Sequence, residues 1–101
     1  MAQIAKPVVV EEEIRFSLAE LSCACGATQT QITLLVEEGV LQPVGDGPER
    51  WFFHGASLRR ARVALRLGRD LEMSPSGTAV VLELLDEIQD LRARLRRVGI
   101  R

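Results

Sequence analysis

A chain of 101 residues, 47% apolar and with a formal net charge of −1, has room for one domain, or one domain plus a long terminal helix, around a modest core. No stretch approaches the length of a membrane-spanning helix, and the first residues carry no apolar run of secretory-signal length. A helical membrane protein is excluded, and a soluble, cytoplasmic chain is expected.

Three segments follow from the pattern along the chain: residues 1–16 as a strand or tail, 17–71 as a winged helix-turn-helix with its connecting helix, and 74–98 as a terminal dimerisation helix. Val8, Val9 and Val10, with Ile14 and Phe16, favour extended backbone and predict a weak strand over 8–16 that pairs with a later one. The acid run Glu11-Glu12-Glu13 also fits a solvated face. Ser17-Leu18-Ala19-Glu20 is a capping box, in which the Ser hydroxyl accepts from a free amide of the first turn and the Glu reaches back. Leu18 and Leu21 begin the apolar face of that helix and Gly26 stops it. Thr28-Gln29-Thr30-Gln31 repeats the box. Ile32, Leu35 and Val36 give the second helix its apolar spacing, and Gly39 ends it. Two short helices joined at a Gly form a helix-turn-helix.

The charge of this unit conflicts with its shape. Between Ser17 and Pro48 there are four acids, Glu20, Glu37, Glu38 and Asp46, and no Lys or Arg. A DNA reader draws much of its affinity from cations set against phosphates, so this segment would repel a duplex. Its acids point to a protein partner, and DNA binding is not expected.

Gly45-Asp46-Gly47-Pro48 is a turn by composition. Arg50, Trp51, Phe52 and Phe53 read as the strand beyond it, completing a wing whose aromatics lock onto the helices. Trp51 is taken as a packing anchor, because the loop beside it is acidic. Ser57 to Leu71 follows as a helix with Leu58, Ala61, Leu65 and Leu71 inward. Arg59, Arg60, Arg62, Arg66 and Arg69 cover its other faces, either as a solvated surface or as a phosphate patch.

Ser74-Pro75 opens the last helix, with Ser as cap and Pro in the first helical position. Val81, Leu84, Ile88, Leu91, Leu95 and Val98 recur at alternating spacings of three and four, a heptad seam. Leu85 widens the seam where the helix is expected to touch its own domain. No later element is expected to cover Leu91, Leu95 and Val98. Glu83, Asp86, Glu87 and Asp90 precede Arg92, Arg94, Arg96 and Arg97, so two copies laid antiparallel set acid against base. The expected assembly is a homodimer. The fold class is mainly α: a winged helix-turn-helix with a small β wing, a connecting helix and a long C-terminal helix for antiparallel dimerisation.

Catalytic and metal chemistry find no purchase. The chain has one His and no Tyr, no phosphate-cradling Gly loop and no nucleophile–base spacing. Cys23 and Cys25 lie one residue apart, point to different faces of a helix and fall short of a zinc ligand set, so they are read as two small buried thiols. No enzyme activity, metal or cofactor is expected.

The order of helix-turn-helix, wing, connecting helix and antiparallel helix resembles the MerR superfamily, and within it the chaperone modulatory proteins of the CbpM type. The residues that carry the resemblance are Ser17-Leu18-Ala19-Glu20-Leu21, the run Val36-Glu37-Glu38-Gly39-Val40-Leu41-Gln42-Pro43, and the wing Trp51-Phe52-Phe53. To these add Leu58 to Leu71 with its scattered Arg and, most specifically, Ala79-Val80-Val81-Leu82-Glu83-Leu84-Leu85-Asp86-Glu87-Ile88-Gln89-Asp90-Leu91. Ordinary MerR activators carry Arg-Tyr-Tyr in the recognition helix, where this chain has Ile32-Thr33-Leu34-Leu35-Val36. The resemblance implies an inhibitor that binds the J-domain of a CbpA/DnaJ-type co-chaperone and blocks its work with DnaK. The expected contact residues are Glu20, Glu37 and Glu38, with Arg59, Arg62 and Arg66 as the rival surface. The alternative is a MerR-like DNA-binding regulator of stress genes.

Overall fold

The computed structural model describes residues 14–99, in the order β1 (Arg15–Ser17), α1 (Leu18–Cys25), α2 (Gln29–Glu37), a 3₁₀ turn (Pro48–Arg50), β2 (Phe52–His54), α3 (Gly55–Leu71) and α4 (Pro75–Arg97). The strand expected over 8–16 is described only at its end, where β1 runs through Ser17; Val8 to Glu13 lie outside the described residues. β1 pairs antiparallel with β2, with Phe16 opposite Phe53. On the other side of β2, Val44 and Phe52 exchange two backbone hydrogen bonds of 2.9 Å, which closes the wing. Gly45 opens that loop at φ +121°, and a Cβ there would run into the Arg50 carbonyl, so no other residue fits without moving the loop.

Both capping boxes form. Ser17 N donates to Glu20 Oε1 at 2.8 Å while Glu20 N donates to Ser17 Oγ at 3.0 Å. The equivalent pair in α2 is Thr28 N to Gln31 Oε1 at 2.9 Å and Gln31 N to Thr28 Oγ1 at 3.0 Å. Gly26 takes the left-handed conformation at φ +66°, and Ala27 N donates back to Ser22 O at 2.9 Å, which fixes the turn between the two helices.

The core joins every layer: Leu21 from α1, Ile32 and Leu35 from α2, Val40 and Leu41 beyond it, Phe53 from β2, Ala61 and Ala64 from α3 and Leu82 from α4. Phe53 is fully buried, and Trp51 stands edge-on to it with ring centroids 6.1 Å apart, the anchoring role expected of it.

Four expectations need correction. The strand read over Arg50 to Phe53 is instead the end of the 3₁₀ turn followed by β2 two residues later, because β2 takes its register from Phe16 and Val44. α3 starts at Gly55, two residues before the expected Ser57, with His54 as its cap residue. Leu71 does not point inward but is 65% exposed at the end of α3, where Glu72 turns the chain in the left-handed conformation at φ 55°. Finally, Leu82 and not Leu85 seats α4 on its own domain, since Leu82 lies one helical turn beyond the buried Thr78.

Candidate partner-binding surface

α2 occupies the place of a recognition helix. Ile32 and Leu35 are buried, which turns Gln31, Leu34, Glu37 and Glu38 outward. Leu34 and the pair Glu37, Glu38 are three and four residues apart and so share a face, an acidic end following an exposed apolar side chain. The acids sit at the C-terminal end of the helix, where the backbone already carries partial negative charge, and its last turn has no basic residue. Such a placement costs about 0.3–1 kcal/mol for each exposed acid, so the fold itself gains nothing from them there.

Glu20 is placed differently. Its carboxylate is held by the Ser17 amide at the start of α1, beside Arg15 and Phe16. Glu20 therefore has a local structural task that Glu37 and Glu38 lack, and the two acids of α2 stand as the principal charged feature of the helix-turn-helix.

The Arg face of α3 divides as well. Arg60 is not a free surface cation: its Nε donates to the Val40 carbonyl at 2.6 Å and its guanidinium meets Asp86 of α4 at 2.9 Å. Arg62 leans on α1, donating to the Ala24 carbonyl at 3.4 Å, and Arg69 pairs with Asp70. Arg66 is exposed, as is Arg59. The sequence reading missed Arg60, which ties the segment after α2 to the last helix; nothing in the spacing of the α3 arginines distinguishes it.

Beyond Leu82 the seam is bare. Leu84, Ile88, Leu91, Leu95 and Val98 are all exposed, between 43% and 66%, and only Val81 is half-buried. At 100° per residue this stripe lies nearly opposite Thr78, Leu82 and Asp86, the residues that face the rest of the domain. Two of the four acids read as partner-facing are engaged within the chain, Asp86 with Arg60 and Asp90 with Arg94 at 2.9 Å.

Cys23 is exposed and Cys25 half-buried, which corrects the expectation of two buried thiols: α1 has eight residues, and its apolar face is filled by Leu21 with the small Ser22 beside it. Burial pushes the Cys25 thiol above its ordinary range, with the nearby Arg62 acting in the opposite direction. Among the described residues no three His, Cys, Asp or Glu side chains are grouped to hold a metal ion. No helix among them is long and apolar enough to cross a membrane.

Residues 16–99 match the family model of MerR HTH family regulatory proteins. The chain is 37% identical over 94 residues to a chaperone modulatory protein CbpM of Coxiella burnetii (strain Dugway 5J108-111), covering 93% of this chain and 89% of that one. It is 34% identical over 80 residues to the CbpM of Pseudomonas putida (strain W619), 79% of each chain.

Proposed function

We propose that this chain, which belongs to the MerR helix-turn-helix family and within it to the chaperone modulatory proteins, modulates a chaperone by binding the J-domain of a CbpA/DnaJ-type co-chaperone and inhibiting its work with DnaK. It acts by binding and catalyses no reaction. The observation that carries this reading is the acidic end of α2: Glu37 and Glu38 are exposed, unhelpful to their own helix, and set in a helix-turn-helix with no Lys or Arg from Ser17 to Pro48. A J-domain presents a basic helix near its His-Pro-Asp loop, as the family resemblance implies, and an acidic surface docked there competes with DnaK. Complementary charge of this kind sets association rate and selectivity more than raw affinity. DNA binding is disfavoured by the same acids, and Arg60 and Arg62 of the basic helix are partly committed to Val40, Asp86 and Ala24.

The working form is a homodimer through α4. Turned end for end about the midpoint between Gln89 and Asp90, the bare stripe maps onto itself: Val81 falls on Val98, Leu84 on Leu95 and Ile88 on Leu91. One flank of the stripe carries Glu83 and Glu87 early and Arg94 and Arg97 late. In this antiparallel register Glu83 comes within one residue of the level of the copy's Arg97, and Glu87 within two of its Arg94, on the same flank. A parallel pair would set these acids against acids. The apolar layers and the charges therefore call for the same register, which neither was chosen to satisfy.

The test is capture of J-domain proteins with the full chain as bait, run beside footprinting on the chain's own promoter. Capture of a J-domain protein without a footprint at physiological salt is expected. A salt-resistant footprint with no J-domain captured would replace this reading with the DNA-binding one.

A further inference from the structure

A cavity of about 510 Å³ opens between the turn of the helix-turn-helix, α2, the second half of α3 and the start of α4. Small residues keep it open: Gly26 and Ala27 at the turn, Ala64 and Gly68 on α3. Leu34, 40% exposed, stands on its rim, and Cys25 forms part of a wall. Thr78 lines it too. Thr78 is 2% exposed, and its hydroxyl makes no hydrogen bond to any described residue. The other fully buried helix-borne hydroxyl, Ser22, donates back to its own helix at 2.9 Å, as does the half-buried Thr33 at 2.8 Å, so Thr78 is the fully buried one left without such a bond among the described residues. A buried hydroxyl left unpaired is destabilising, so a cavity that keeps one is matched to a ligand with an apolar body and a polar tip.

The rim says where that ligand comes from. Leu34 shares its helix face with Glu37 and Glu38, so the cavity and the acidic end of α2 form one continuous surface. The bare α4 stripe, which a second copy would cover, lies on the other side of the helix from Thr78. We infer that this cavity is the socket for a phenolic side chain, a tyrosine, projecting from the basic helix of the bound protein partner. Its ring would pack among Leu34, Ala64, Leu65 and Gly68 and its hydroxyl would meet Thr78, while neighbouring basic residues face Glu37 and Glu38. The inference rests on the proposed J-domain reading and names the anchor that reading lacks. Aromatic anchors in desolvated pockets carry a large share of interface energy.

Two arms test it with the full chain. In the first, calorimetry follows the cognate J-domain. Gly68→Leu fills the socket, and its Cβ would stand in ordinary van der Waals contact with the Met73 carbonyl at 3.6 Å. Gly68→Leu is expected to weaken binding about 30-fold or more, and Thr78→Val, which removes only the hydroxyl, about three- to tenfold. Leu34→Gln on the exposed rim is the companion variant, with circular dichroism on all three. In the second arm, p-cresol is titrated into the chain without partner. Its amide shifts are expected at Cys25, Gly68 and Thr78 and are expected to vanish in Gly68→Leu. Wild-type binding to the J-domain with all three variants unchanged overturns the socket and leaves the J-domain reading standing. No wild-type binding overturns that reading and the docking built on it. Shifts with p-cresol that are absent or fall elsewhere overturn the socket whatever the partner does. Variants that alter the dimer and not J-domain binding assign the cavity to a second copy and likewise overturn it.

Discussion

The two halves of α4 have similar apolar content and use it in opposite ways. In the first half Thr78 and Leu82 are sealed into the domain at 2% and 3% exposure, and Asp86 reaches Arg60. In the second half Leu91, Leu95 and Val98 are covered by no other element among the described residues and stay 47%, 43% and 66% exposed. The lesson is that a helix's apolar stripe reports the need for a neighbour but not which neighbour. Leu82 found one in its own chain, whereas the stripe opposite it is left for another. An exposed stripe of this length is a liability for a lone monomer and marks an interaction site.

Breaking the second half has the largest expected effect. Leu91→Asp with Leu95→Asp places two carboxylates in the proposed dimer seam, and light scattering at roughly tens of micromolar is expected to turn from dimer to monomer while circular dichroism still reports a folded helix-turn-helix. A monomer for the unmutated chain at that concentration would leave the stripe without its occupant. Breaking the first half acts on stability instead. Leu82→Ala removes a core side chain joined to Leu35 and Ala61 in one cluster and is expected to cost about 2–5 kcal/mol in urea unfolding; a loss under about 1 kcal/mol would mean that α4 is not seated through Leu82.

Smaller effects sharpen the boundary between the halves. Arg60→Met keeps much of the stem and drops the bonds to the Val40 carbonyl and Asp86. The pair is partly exposed, so its ionic part is screened; the loss is expected to be about 1–2 kcal/mol, mostly from the Val40 carbonyl contact, and unchanged stability would show that link to be ornamental. The smallest change is at Glu72, which takes φ 55° between α3 and α4. Glu72→Gly relieves a left-handed residue and is expected to stabilise by up to about 1 kcal/mol by thermal unfolding; destabilisation would contradict the turn described there.

Much of the fold was legible because its punctuation is local. Ser17 with Glu20, Thr28 with Gln31, Gly26, Gly39 and Ser74-Pro75 each act within four residues, and the structure keeps every one of those ends. What depends on distant neighbours was not legible. Leu71 looked inward by helical spacing, yet α3 outruns the core before reaching it. Leu85 was taken for the docking residue because it lies beside the seam, while the face that docks is set by where Phe53, Ala61 and Ala64 leave room for Leu82. Cys23 and Cys25 were read as buried because they fall short of a metal ligand set, but α1 presents only one narrow face to the core.

The candidate surface was legible in its charge and not in its shape. The absence of bases from Ser17 to Pro48 is visible in the sequence, and the structure adds that Glu20 is occupied by a cap while Glu37 and Glu38 are not. The arginines of α3 read as one face, but Arg60 and Arg62 turn towards the domain's own carbonyls. The cavity beside Leu34 had no signal at all, since the small residues that open it lie on two segments far apart in sequence, the turn after α1 and α3.

The most direct test of the acidic-surface account is a calorimetric titration of the cognate J-domain against two charge-reversed chains. Glu37→Lys with Glu38→Lys is expected to weaken binding by about 1–3 kcal/mol, mainly through slower association, while reversal of Arg59, Arg62 and Arg66 leaves it within about 0.5 kcal/mol of the unmutated chain. Normal binding by the Glu-reversed chain, together with loss of binding by the Arg-reversed chain, would contradict the account and move the contact to α3.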